Sequence, residues 1–344
     1  MLLPAFSRTD RAWLPALGLS LGTMMAAQAA APACDRACLS GLTDQLLDSM
    51  VARDPARVPL APRYAATENS VPAALPMMTA WRSVTALKDR FYAIDTTSQQ
   101  VFVVAGLAEG PNETLLWGRL KVQDRRLAEI ELYENRSRAQ GGYQFAGNGP
   151  ANFPKPWTAA VPADRVPARA TLQAHAKAIF AGRGKTLPAT AGCVLMENGK
   201  VVEEHAEVAA EVAGGAAPQA TDNGMVPIPC GLPPQRPTDT KARADIVDEV
   251  QGVVVAMATV HGSAQPMLVS TPTESAFVPD QILAPYAAML KKQQASGRNT
   301  APALRPMPAS AAAAEVHRLY DGHLQGQLLL VNIGAPGSHS PWAR

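Results

Sequence analysis

The chain has 344 residues, a formal net charge of +2, 47% hydrophobic and 17% charged residues, enough apolar content for one large or two ordinary domains. Lys and Arg are nowhere dense, which excludes a nucleic-acid footprint, and no apolar run beyond the N-terminus is long enough for a transmembrane helix, so the mature form is expected to lie off the membrane. Aromatics make up 5% and prolines number 30, which predicts long loops.

From the N-terminus, Arg8 and Arg11 precede an apolar stretch over residues 12–27, followed by Ala27-Gln28-Ala29. A basic region, an apolar core and an A-x-A site predict a secretory signal peptide over residues 1–29, and a secreted or periplasmic mature protein. Export permits disulfides. The cysteines are Cys34, Cys38, Cys193 and Cys230. Of the three possible pairings, Cys34–Cys38 with Cys193–Cys230 keeps each bond within one half of the chain. Metal binding is not expected: zinc needs closer, repeated Cys spacing with His nearby, and no His pair has metal-like spacing.

The rest reads as a repeat. Leu39, Leu42, Leu46, Leu47 and Met50 predict a helix over 35–50, and Leu172, His175, Ala176, Ile179 and Phe180 predict a second. After each helix comes a matching landmark, Thr67-Glu68-Asn69 and then Met196-Glu197-Asn198. Strands are expected at 100–105, 115–122 and 127–134, and again at 253–259, 315–320 and 324–333. Gln99-Gln100-Val101 is matched with Gln251-Gly252-Val253, and Lys121-Val122-Gln123-Asp124 with Arg318-Leu319-Tyr320-Asp321. The expected organisation is a first domain over 30–148, a Pro-rich linker over 149–167 and a second domain over 168–344. The second carries insertions near 200–237 and 266–313, the latter with one helix over 282–294. Helices followed by antiparallel strands indicate an α+β fold with helices on one sheet face.

A hairpin turning at Asp124-Arg125-Arg126 sets Lys121 opposite Glu129, Arg119 opposite Glu131, and Trp117 opposite Tyr133. The matching face of the second copy, Ala314, Val316, Leu328 and Leu330, is largely apolar. A buried surface between the copies would produce that difference, and so would divergence. The Arg119–Glu131 ladder reads either as a solvated face or, turned inward, as an anion or carbonyl anchor with Glu131 orienting Arg119.

Cys34-Asp35-Arg36-Ala37-Cys38, Thr67-Glu68-Asn69, Arg119-Leu120-Lys121-Val122 and Glu129-Ile130-Glu131 resemble exported SnoaL-like domains of a poorly characterised family in the nuclear-transport-factor-2-like superfamily. Cys193 with Glu197-Asn198-Gly199, Asp248-Glu249 before Gly252, Val260-His261 and Ser340-Pro341-Trp342 resemble its tandem partner domain. The resemblance implies two cone-shaped α+β barrels, each a curved antiparallel sheet wrapped on helices with an apolar pocket at its open end. It also implies cofactor-free acid/base chemistry of the lyase, hydratase or isomerase kind. The second copy departs from the pattern: Leu195 and Ala244-Asp245-Ile246-Val247 stand where arginines are expected, which points to a structural role for that copy.

The site candidates in the first copy are Glu68 or Asp95 as base, Tyr64 or Tyr92 as electrophilic partner, and Asn69, Trp81, Arg119 and Glu131 as ligand-binding groups. A carboxylate in an apolar cone is driven toward a neutral-range titration, and a phenol can hold a developing oxyanion. The competing reading makes Glu68-Asn69 a turn and the aromatics core. His261, after an apolar strand, is placed either as a pocket base or as a strand-end residue before Gly262. The expected ligand is a small apolar or aromatic molecule without a cofactor. A non-catalytic periplasmic binding or assembly module is the alternative, and a homodimer through the sheet faces is a further possibility.

Overall fold

The computed structural model describes residues 33–136, 149–180, 187–205, 225–231, 242–264, 277–279, 283–297 and 307–342. The expected signal peptide and parts of both expected insertions lie outside them.

The first half opens with helix α1 (Arg36–Val51). Its N-cap Asp35 accepts from the Cys38 amide, and Leu39, Leu42, Leu46, Leu47 and Met50 form its buried stripe. Then follow β1 (Leu60–Glu68), the short β2 (Val71–Pro72), the five-residue helix α2 (Thr79–Ser83), β3 (Ala86–Asp95), β4 (Gln100–Glu109), β5 (Asn112–Gln123) and β6 (Arg126–Arg136). The sheet order is β2-β1-β6-β5-β4-β3. All pairs are antiparallel except β1 with β6. The hairpin register is the one expected, with Lys121↔Glu129, Arg119↔Glu131 and Trp117↔Tyr133. A bulge between Lys121 and Val122 lets a tighter turn at Asp124-Arg125 keep it.

The second half contains α3 (Arg169–Ile179), β7 (Leu195–Glu197), β8 (Lys200–Val201), the paired β9 (Glu203–His205) and β10 (Met225–Pro227), β11 (Arg243–Asp248), β12 (Val253–Ala264), β13 (Phe277–Pro279), α4 (Leu283–Ala295), β14 (Met307–Tyr320) and β15 (His323–Gly334). The main sheet runs β11-β12-β14-β15-β7-β8, with β13 added to β12. β7 pairs parallel with β15, as β1 does with β6. Strand order and pairing sense therefore match between the halves. β14 reaches back to Met307, into a stretch expected as loop.

The ladders set the correspondence of the two copies. Gln100 pairs with Lys121, and Val253 with Arg318. Gln100 therefore corresponds to Val253, one residue away from the match made on sequence. Gln99 and Gly252 then coincide, both at positive φ (55° and 62°). The expected α+β class with helices on one sheet face holds in both copies, but each sheet is mixed where an antiparallel one was expected, and it stays open with an edge strand at each side. Parallel β1–β6 pairing is what brings the last strand back beside the first.

Each sheet buries one face under its own helix. In the first copy Val101, Val103, Leu116, Leu120 and Leu132 pack with the α1 stripe, Trp81 and Met78. In the second, Val254, Ala256, Ala311 and Ala313 pack with Leu172, Ala176 and Ile179. The remaining faces meet each other: Phe91, Phe102, Trp117 and Tyr133 lie in one cluster with Val253, Val255, Val316 and Leu328. Phe153 and Trp157, from the stretch expected as a linker, belong to the same cluster. Trp157 fits because position 326 is glycine; a Cβ there would sit 2.5 Å from the ring.

Polar contacts across the sheet–sheet interface are reciprocal. Asp95 accepts from Thr97 and Ser98 of its own turn, and from Val247 N and Arg169 of the other copy. Asp248 accepts from Val250 and Gln251 of its own turn, and from Ile94 N and Arg36 of the other copy. Arg36 and Arg169 each open the first helix of their copy. Likewise Asn135 donates to the Val331 carbonyl and Asn332 to the Glu134 carbonyl. The copies meet as the subunits of a two-fold dimer would.

Candidate functional site

In the first copy, most of the expected catalytic groups are occupied by structural bonds. Glu68 caps α2: its Oε2 accepts from the Thr79 amide (2.9 Å) and hydroxyl (3.0 Å), and Oε1 from the Ala80 amide (3.1 Å). Asn69 sits at φ 51° and its Oδ1 accepts from Glu134 N. Asn198 repeats this at φ 46° with Val331 N, so the Glu-Asn landmark is the turn between paired strands. Asp95 is the interface acceptor described above. Burial pushes its carboxyl up, but the Arg169 guanidinium and the Ser98 and Val247 amides prevail and hold it below the usual range. Trp81 is 3% exposed and donates to Ser49 Oγ within the α1 core.

Tyr92 donates to Asp44 Oδ1 at 2.8 Å, between β3 and α1. Burial, and then Asp44, push its phenol well above the ordinary value, so it stays protonated. The Arg119 ladder is neither solvated nor part of a cone lining. Arg119 and Glu131 are 5% and 0% exposed between the sheets. Both Glu131 oxygens accept from Arg243 of the second copy, at 2.7 and 2.9 Å, and Tyr133 donates to Oε1. Arg119 also reaches Gln100 and Glu129. His261 Nδ1 lies 2.9 Å from Ser310 Oγ, and its ring meets His339 edge-on. The cysteines form Cys34–Cys38 and Cys193–Cys230. No metal-binding group of His, Cys, Asp and Glu occurs among the described residues.

Sequence reasoning missed two buried ionisable clusters. Glu134, 3% exposed, faces the α1 side of the first sheet with Glu68 and Glu109. Burial, and then the Glu68 and Glu109 charges, push its carboxyl up to about 8 against the pull of Arg136, with which it is paired. Its Oε1 has no hydrogen-bond partner. Strand parity carried the signal, since Glu134 follows Ile130 and Leu132 on the helix-facing side. In the second copy Glu315 Oε2 lies 2.6 Å from His317 Nε2, and His317 Nδ1 lies 2.9 Å from His175 Nε2 on α3. Gln327 is opposite His317, and its amide reaches Glu315.

Of the expected site residues, Tyr64 lines a concavity. A groove of about 590 Å³ is formed by residues 64–67 and 72–74 with Pro341 and Trp342, within the size range of ligand pockets. Trp342 Nε1 donates to Thr67 Oγ1 at 2.9 Å, and its ring lies over Arg119 at 5.3 Å. These contacts fix one wall, supplied by the C-terminal segment.

No family model and no curated protein matches the chain. Among solved structures, a steroid delta-isomerase from Pseudomonas aeruginosa is similar at 15% identity, over 31% of this chain and 83% of that one, with a TM-score of 0.23. A likeness of that size carries no argument about activity. What the architecture defines is a class: an α+β chain of two topologically matched mixed sheets packed face to face, each carrying its own helix.

Proposed function

We propose that the chain is an exported binding module whose first copy holds an apolar or aromatic group in the groove beside β1. One observation carries this: the groove walls are Tyr64, prolines, alanines, Thr67 and the Trp342 it braces, while Glu68, Asp95 and Tyr92 are committed to a cap, an interface and a helix contact. An acid/base enzyme needs a base within reach of its substrate, and none of these three lines the groove. Two disulfides among the described residues and an N-terminal signal-like sequence support export. The SnoaL-like resemblance is compatible with this reading, since fold does not dictate activity.

The test is titration with the neutral fluorescent dye N-phenyl-1-naphthylamine. We expect one saturable site whose affinity falls about tenfold in Trp342→Ala and in Tyr64→Ala, the scale of losing one aromatic contact. Unchanged affinity in both variants, with native circular dichroism, would sink the assignment.

A further inference from the structure

The second copy shows what the groove of the first is built to take. β7 extends the strand correspondence: Leu60 pairs with Leu127, Ala189 bridges Leu324, and Asn69 and Asn198 close the two strands identically. Tyr64, Ala66 and Ala73 therefore stand where Cys193, Leu195 and Val202 stand. In the second copy that edge is covered by residues 226–230. Leu195 N donates to the Ile228 carbonyl, Ile228 N to the Val202 carbonyl and Cys230 N to the Cys193 carbonyl. Val194 bridges Pro229 in antiparallel sense. Val226 and Ile228 are 0% and 8% exposed and pack on Leu195 and Val202. The Cys193–Cys230 disulfide locks the segment down.

The first copy keeps the slot but has no such segment among the described residues. Its β1 edge pairs only with β2, at Thr67 and Glu68. Ala73 N donates to the Ala66 carbonyl, the same bond that Val202 makes to Leu195. Of the residues lining the groove, Tyr64, Ala65, Ala66 and Ala73 are the counterparts of those the segment contacts. Alanines replace Leu195 and Val202 on its floor, and Tyr64 replaces the cysteine that anchors the staple.

We infer that the groove accepts an extended polypeptide from a partner protein, added antiparallel to β1 as residues 226–230 are to β7. The recognised chemistry is an uncharged strand with large apolar side chains at alternate positions. Its backbone accepts from Ala66 N and donates to the Tyr64 and Ala73 carbonyls. Small floor residues admit bulkier side chains than the valine and isoleucine seated in the second copy. With no staple, occupancy is reversible. This rests on the binding-module reading and narrows its ligand.

The probe is an N-acetylated, C-amidated peptide of residues 224–229 followed by serine in place of Cys230, added to the mature protein with both disulfides intact. We expect saturable binding, amide hydrogen-exchange protection at Ala66, and an affinity loss of about tenfold or more when the isoleucine nitrogen is methylated, which deletes one strand hydrogen bond and adds a clash. Equal binding of the methylated peptide without protection at Ala66 would overturn strand addition. Dye binding without peptide binding would overturn the peptide assignment and leave the binding module standing. Failure of both ligands would overturn both.

Discussion

Replacing Glu134 by glutamine should remove an alkaline weakness from the fold. The folded-state carboxyl titrates at about 8, above its ordinary 4.5, because it is buried beside Glu68 and Glu109. The folded protein therefore holds a proton that the unfolded chain releases between those values. The stabilisation is complete below pH 4.5 and is lost as pH rises through 8. At about 1.36 kcal/mol per pH unit, that interval removes roughly 5 kcal/mol. Glutamine keeps the shape and can still accept from Arg136, but it does not ionise. The stability difference between Glu134→Gln and the unmodified protein should grow in the variant's favour by roughly 3.5 kcal/mol from pH 5 to pH 8, since the proton is only half released at pH 8. At about 2 °C per kcal/mol for a chain of this size, the gap in Tm should widen by roughly 7 °C over that range. Scanning calorimetry at one-unit pH steps reads it directly, and titrating groups not coupled to Glu134 cancel in the difference. A gap constant to within about 2 °C would show that Glu134 is not held neutral by burial.

Asp95→Asn and Asp248→Asn should both destabilise the fold, by about 3 kcal/mol for Asp248, whose loss leaves Arg36 without its carboxylate, and by less for Asp95, because Arg169 keeps Glu249; chemical denaturation showing either of them neutral would break the reciprocity. The Asp95 contribution should be complete above its unfolded-state value of 3.8 and disappear as pH falls through its lowered folded value, so Asp95→Asn should flatten the acid limb of the stability curve. Replacing Cys193 and Cys230 together by serine opens a loop of 37 residues and should cost up to about 4 kcal/mol. It should also raise amide exchange at Leu195, whereas unchanged exchange there would mean that the staple does not hold the segment. Because the sheet faces that would form a homodimer already meet within one chain, light scattering should give the mass of a single mature chain, and a concentration-independent dimer would contradict this.

Legibility in the sequence followed sequence distance. The β5–β6 hairpin register was readable because its evidence is local: alternating charges and a turn signal fix which residues face each other. The same locality made α1 and its apolar stripe readable. β1 was not, since Pro62 and Arg63 interrupt its alternation and its partner β6 lies across the whole domain. The role of Glu68 as a cap for α2 depends on a helix eleven residues away. Placing Arg119 required knowing that Arg243 would arrive from the other copy. The one-residue error between β4 and β12 has a distinct cause. Two runs rich in valine match almost equally well when slipped by one, yet in a strand that slip exchanges the faces. It would have put Phe102 with Val254, in the helix-side core, in place of Val255, which shares the inter-sheet cluster with it.

The same correspondence explains why the two copies differ where they do. An exposed edge strand is a liability unless it is paired, covered or broken up. The second copy covers its edge from within, with a segment drawn from its insertion and stapled by Cys193–Cys230. The first copy leaves the edge without a partner strand along residues 60–65 among the described residues, with Pro62 and Arg63 discouraging random pairing. Aggregation control alone would have been served by a second cover or a shorter strand. Instead the C-terminal segment of the second copy brings Trp342 across to Thr67 and Arg119, building an apolar wall beside the open edge. A wall that spans the two copies ties the groove to their interface. Loosening that interface should therefore weaken binding even when no groove residue is touched, and Asp248→Asn, remote from the groove walls, is the variant in which to measure it.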